Sequence, residues 1–108
     1  MNMNKEKLNE KLATEVMGAK FLDGMQPLYS AGEPVFDGHW HIFVSQWNPT
    51  TDLNQLRMCY ETAEAGDEMF KHQFYRFLKV YVVSEIAVAW VKHPELVAEA
   101  ILKAKGVI

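Results

Sequence analysis

Two imidazoles two positions apart, His39 and His41, are the residues in this chain best spaced for chemistry. In an extended segment alternate side chains share a face, so both rings would project the same way, as two ligands of a metal site do. Asp37, His72 and His93 are the residues available to complete such a set. A His-x-His pair on a strand equally suits a surface that meets solvent or a partner, and two ligands alone do not make a site. The one thiol, Cys59, falls mid-helix beside an apolar stripe, without a glycine-rich turn to expose it or to build an oxyanion hole. Glu61 with Glu64 and Asp67 with Glu68 surround a helix end, where solvated carboxylates are a simpler reading than a general acid–base pair. The sequence has no glycine-rich phosphate loop, no Gly-x-Ser-x-Gly elbow and no His-Glu-x-x-His pair. An enzyme is therefore not expected and no cofactor is implied; a small metal-binding protein or metalloenzyme using His39 and His41 is the alternative.

Three Trp, six Phe and four Tyr are many large rings for one small sheet. Rings of this size fill cores or anchor interfaces more often than they carry chemistry. Phe43, Trp47 and Tyr75 join His39 and His41 as the candidate binding residues.

The elements that must hold these residues follow from periodicity and punctuation. Leu8, Leu12, Ala13, Val16 and Met17 recur at helical spacing within 4–17, with Asn4 to cap the start and Gly18 to end it. Turn residues break up 19–38, leaving short strand pieces at Lys20 to Leu22 and Leu28 to Ser30. His39 to Trp47 is aromatic and β-branched without a breaker and predicts a strand. Its alternation sends His39, His41, Phe43 and Ser45 to one face and Trp40, Ile42 and Val44 to the core. Pro49 then closes the strand, and Asp52 with Gln55 three positions on resembles a capping box for a helix that carries Leu53, Leu56, Tyr60 and Ala63 and stops at Gly66. Between 69 and 83 the rings fit helical spacing, while the β-branched content fits a strand from about Gln73. A hairpin through Ser84-Glu85 into a second strand, Ile86 to Val91, is the expectation. Pro94 opens a last helix that buries Val97, Ala100, Ile101 and Ala104 and ends before Gly106.

With 108 residues and 49% hydrophobic composition, the chain predicts one α+β domain over 1–108. A net charge of -3 offers no basic field for a phosphate backbone, so direct nucleic-acid binding is not expected. A single cysteine, a polar start without the apolar middle of a signal peptide, and no apolar run of roughly 18 residues predict a soluble cytoplasmic protein with no membrane contact.

Three stretches carry a resemblance: Lys11-Leu-Ala-Thr-Glu-Val-Met-Gly18, Trp47-Asn-Pro-Thr-Thr-Asp-Leu53 and Pro94-Glu-Leu-Val-Ala-Glu-Ala-Ile-Leu-Lys-Ala104. Together they resemble the phage ABA-sandwich domain family, small phage or prophage products of undefined activity. This chain departs from that pattern at Ala19, where family members commonly have Trp, and at Val83-Ser84-Glu85, where they carry a glycine-rich hairpin. The resemblance implies an α/β/α sandwich with N-terminal, central and C-terminal helices around a small antiparallel sheet, and a phage origin. It supplies no catalytic residue. The resulting expectation is a non-enzymatic phage accessory protein in the host cytoplasm that binds a host or phage protein or protein–nucleic acid complex. Inhibition of a host antiviral defence complex, in the manner of an anti-CRISPR protein, is its concrete form. A homodimer, or a homo-oligomeric phage structural component built through the aromatic strands, is the further alternative.

Overall fold

The computed structural model describes residues 4–31, 40–80 and 82–108. Helix α1, Lys5–Lys11, starts where the Asn4 side chain accepts a hydrogen bond from the Lys7 amide at 2.9 Å, which satisfies one of the unpaired donors of a first turn. It runs into a π turn, Leu12–Val16, closed by the Met17 amide donating to the Leu12 carbonyl at 2.9 Å. Gly18, at φ +68°, then takes the left-handed conformation that ends the helix at little steric cost.

Three short strands follow, β1 (Lys20–Leu22), β2 (Leu28–Ala31) and β3 (Trp40–Phe43), in an antiparallel sheet of order β1-β2-β3. The register aligns Phe21, Tyr29 and Ile42 in one row and Leu22, Leu28 and Phe43 in the next. Rows alternate between faces, so Tyr29, Ala31, Trp40 and Ile42 turn toward the core, Phe21 shares their face but stands 52% exposed beyond its edge, and the second row lies on the solvent side. The strand expected to reach Trp47 stops at Phe43. The Val44 amide donates to the Pro27 carbonyl at 2.9 Å, and Val44–Gln46 forms a 3₁₀ turn that swings Trp47 into the core.

Helix α2, Leu53–Glu64, is capped by Asp52, whose carboxylate accepts from the Asn54 amide at 2.9 Å and the Gln55 amide at 3.2 Å. The reciprocal half of the expected capping box is absent. The Gln55 amide group instead bonds the Asn48 N–H and, at 2.8 Å, the Gln46 carbonyl, tying the preceding turn to the helix.

The hairpin expected from Gln73 to Val91 is not formed. Helix α3, Phe70–Leu78, and helix α4, Val83–Lys92, occupy that segment. Phe70 and Phe74 are buried one turn apart and stack at 5.8 Å, an arrangement that a strand would not give them, since four residues of strand rise about 13 Å. Lys79, left-handed at φ 62°, ends α3. Ser84 and Glu85, expected at a hairpin turn, lie instead in the first turn of α4, where an acidic side chain complements the helix dipole. Pro94 opens helix α5, Pro94–Ala104, as expected. At its end Gly106, at φ +74°, allows the Val107 amide to reach the Leu102 carbonyl at 2.9 Å.

Helix α5 is the centre of the helical part and packs against α1, α2, α3 and α4. Val97, Ala98, Ile101 and Leu102 are fully buried there with Leu8, Leu12, Leu56, Phe70 and Phe74. Each of these larger side chains contributes about 1.5–3 kcal/mol by leaving water. The chain is one α+β domain, and among its described residues no helix is long and apolar enough to cross a membrane.

Candidate functional site

The joint between sheet and helices is a polar clamp built on α1 and the turn before α2. The Trp47 ring, 4% exposed, donates from Nε1 to the Asn9 carbonyl at 2.7 Å and meets Trp40 edge-on at 5.2 Å. Asn9 Nδ2 donates to Asn48 Oδ1 at 2.9 Å, and Asn9 Oδ1 accepts from the amide of buried Thr50 at 3.2 Å. Trp47, proposed from the sequence as a binding residue, is therefore a structural one: its ring is packed and its only polar atom is satisfied inside the fold.

The solvent side of the sheet is where the remaining sequence candidates collect. His41 and Phe43 are exposed there, and Trp40 and Ile42 are half-buried on the opposite side, which is the alternation expected of this strand. His39 and Asp37 lie outside the described residues. Phe43 does not stand alone. Register places it in a row with Leu22 and Leu28 across all three strands, flanked by a second row of His41, Ser30 and Lys20. Leu22 is 49% and Phe43 41% exposed, and Met25, in the β1–β2 turn, is fully exposed beside a shallow hollow of about 620 Å³ that Pro27, Phe43 and Gln46 also line. Sequence reasoning missed Leu22, Leu28 and Met25. The strand pieces were legible, but the pairing that puts Leu22 beside Phe43 spans a turn-rich segment whose register periodicity does not specify.

Tyr75 sits elsewhere, in a cleft of about 540 Å³ between α2, α3 and α4. Tyr60, Phe74 and Trp90 form its floor, with Tyr60 meeting Phe74 at 5.0 Å and Trp90 at 5.5 Å, both edge-on. Burial pushes the Tyr60 phenol above its ordinary pKa, and the neighbouring Tyr75 hydroxyl and Glu64 carboxylate push it further the same way. A phenol so held keeps its proton and has no role as a general base near neutral pH. Arg57, Glu61 and Glu64 stand on the rim, where Glu61 is 3.8 Å from Arg57 and Glu64 is 3.5 Å from Lys71. These carboxylates, read from the sequence as solvated, are engaged by surface cations.

Cys59 is fully buried, and burial raises its thiol to about 12, so it packs as a small apolar side chain and supplies no nucleophile. Among the described residues no three of His, Cys, Asp and Glu are grouped to hold a metal ion. His72 lies on α3 and His93 at the junction of α4 and α5, both exposed. No protein-family model matches the chain, and no curated protein or solved structure matches it either.

Proposed function

We propose that this chain is a non-enzymatic binding protein that docks a macromolecular partner on the solvent face of its sheet. The observation that carries the reading is the row Leu22, Leu28 and Phe43, continued by Met25. A sheet with one face on a core and the other in water is expected to be polar outside, and an apolar row there loses free energy until something covers it. Lys20, Ser30 and His41 beside the row supply polar contacts of the kind found around the apolar centre of an interface. A partner protein fits this pattern better than nucleic acid, because the chain carries a net charge of -3 and the face has a ring and aliphatic groups at its centre.

The resemblance to phage ABA-sandwich proteins makes the concrete form a phage accessory protein, acting in the host cytoplasm on a component of an antiviral defence complex. The test is phage plating on defence-bearing cells that express the chain or its Phe43→Asp variant, with the fold of each checked by circular dichroism. The reading expects the wild-type chain to restore plating and the folded variant to lose the effect. Equal plating with and without the wild-type chain across a panel of defence systems would end the anti-defence form. Undiminished rescue by Phe43→Asp would remove the sheet face.

A further inference from the structure

Helix α4 is apolar nearly all round, yet only Ala89 is buried. Trp90 packs half-covered against the core and Ile86 is half-buried, while Val88 is 48% and Val91 70% exposed. Ser84, Val88 and Val91 follow i, i+4, i+7 spacing and so form one exposed stripe, which Ala87 and Val91 share with the mouth of the cleft against α2. A helix with an apolar stripe on both sides is built to be covered on both sides.

The charges on α4 identify what covers it. Glu85 and Lys92 lie seven residues apart, two helical turns, on one edge of the stripe. Among the described residues the ion pairs engage Lys5, Lys7, Arg57, Lys71 and Lys105, and neither Glu85 nor Lys92 belongs to one. We propose that α4 packs antiparallel against α4 of a second copy of this chain, about a two-fold axis near Ala87 and Val88. That operation sets Ser84 opposite Val91 of the second copy and brings Glu85 within reach of its Lys92, twice over by symmetry. The small side chains Ser84 and Ala87 let the two backbones approach, and antiparallel packing also opposes the helix dipoles. In a parallel two-fold pair the edges that carry Glu85 and Lys92 would lie on opposite sides of the seam and could not meet, so the charge pattern selects the antiparallel contact.

Ten residues of helix span about 15 Å, so this contact is smaller than the ~800 Å² per partner of a standard interface. Association is therefore concentration-dependent. Sedimentation velocity from about 10 µM to about 1 mM is expected to carry the mass from 12.4 kDa toward twice that value. Val88→Asp should hold the chain at monomer mass with an unchanged far-ultraviolet spectrum. Glu85→Lys and Lys92→Glu should each weaken association about tenfold, and the chain carrying both should recover it, because the exchanged pairs again match across the axis. A mixture of Ser84→Cys and Val91→Cys chains, oxidised gently, should yield the mixed disulfide in preference to either symmetric one; buried Cys59 does not compete. A strict monomer at every concentration would overturn the proposal, and so would a Ser84→Cys chain that crosslinks mainly to itself.

Discussion

Replacing Asn9 by alanine removes the centre of the clamp between the first helix and the turn that carries Trp47. Two side-chain hydrogen bonds disappear, from Asn9 Nδ2 to Asn48 Oδ1 at 2.9 Å and from the Thr50 amide to Asn9 Oδ1 at 3.2 Å. The bond to Asn48 is exposed and its loss costs about 0.5–1 kcal/mol. Thr50 is 1% exposed, and leaving its amide without an acceptor adds about 1–3 kcal/mol of uncompensated desolvation. Alanine is the better helix former in α1 and returns about 0.6 kcal/mol. The net destabilisation is about 1–3.4 kcal/mol, which for a domain this size moves Tm down by roughly 4–25 °C. Asn9→Asp keeps the acceptor for Thr50 but sets a second oxygen against Asn48, so its cost falls between wild type and Asn9→Ala. Urea unfolding with unchanged slope is the assay. If Asn9→Ala shifted stability by less than about 0.5 kcal/mol, or ranked above Asn9→Asp, the clamp would not be what joins the sheet to the helices.

Lys79 holds a left-handed φ of 62° at the end of α3, so Lys79→Gly should stabilise by about 0.5–1 kcal/mol after the extra freedom of glycine in the unfolded chain is counted, measured as a raised urea midpoint. Cys59, its thiol raised to about 12 by burial, should react with an aromatic disulfide reagent at pH 8 at least about a hundredfold more slowly in the native protein than in urea. Asp67 accepts from Lys105 Nζ at 3.1 Å, and that contact first, then the Met69 and Phe70 amides, holds its carboxyl below the ordinary range. A carboxyl depressed in the folded state favours folding above its unfolded pKa, and that contribution fades as pH falls through the folded value. Asp67→Asn should therefore flatten the acid limb of a stability–pH curve below about pH 4 and leave its slope near pH 7 unchanged.

Local signals in the sequence translated well where a single residue dictates the backbone. Asn4 and Asp52 cap, Pro94 initiates, and Gly18, Gly66 and Gly106 adopt positive φ at helix ends. The faces of β3 were legible because alternation is local. The segment 69–83 was not. Its β-branched and aromatic content reflects fitness for a half-buried surface more than a backbone preference, and the surface available here was α5 together with Tyr60, which Phe70 and Phe74 reach only from a helix. The stop between α3 and α4 is a left-handed lysine, which carries no sequence signal comparable to glycine. Of the candidate binding residues, His41 and Phe43 share the exposed sheet face, Tyr75 lines a separate cleft and Trp47 is buried. Ring type alone did not distinguish these three environments, because burial depends on contacts across 38 residues and more of sequence, such as Trp47 to Asn9.

Whether a macromolecular partner docks on the row Leu22, Leu28 and Phe43 is decided by site-specific photo-crosslinking in living cells. A photoreactive phenylalanine analogue is placed at Phe43, at Leu22, or at the exposed Lys103 on α5. Docking on this face gives one discrete adduct of the same mass from positions 43 and 22 and none from position 103. Adducts from position 103 alone, or no adduct from the sheet positions in cells where the chain is active, would contradict it.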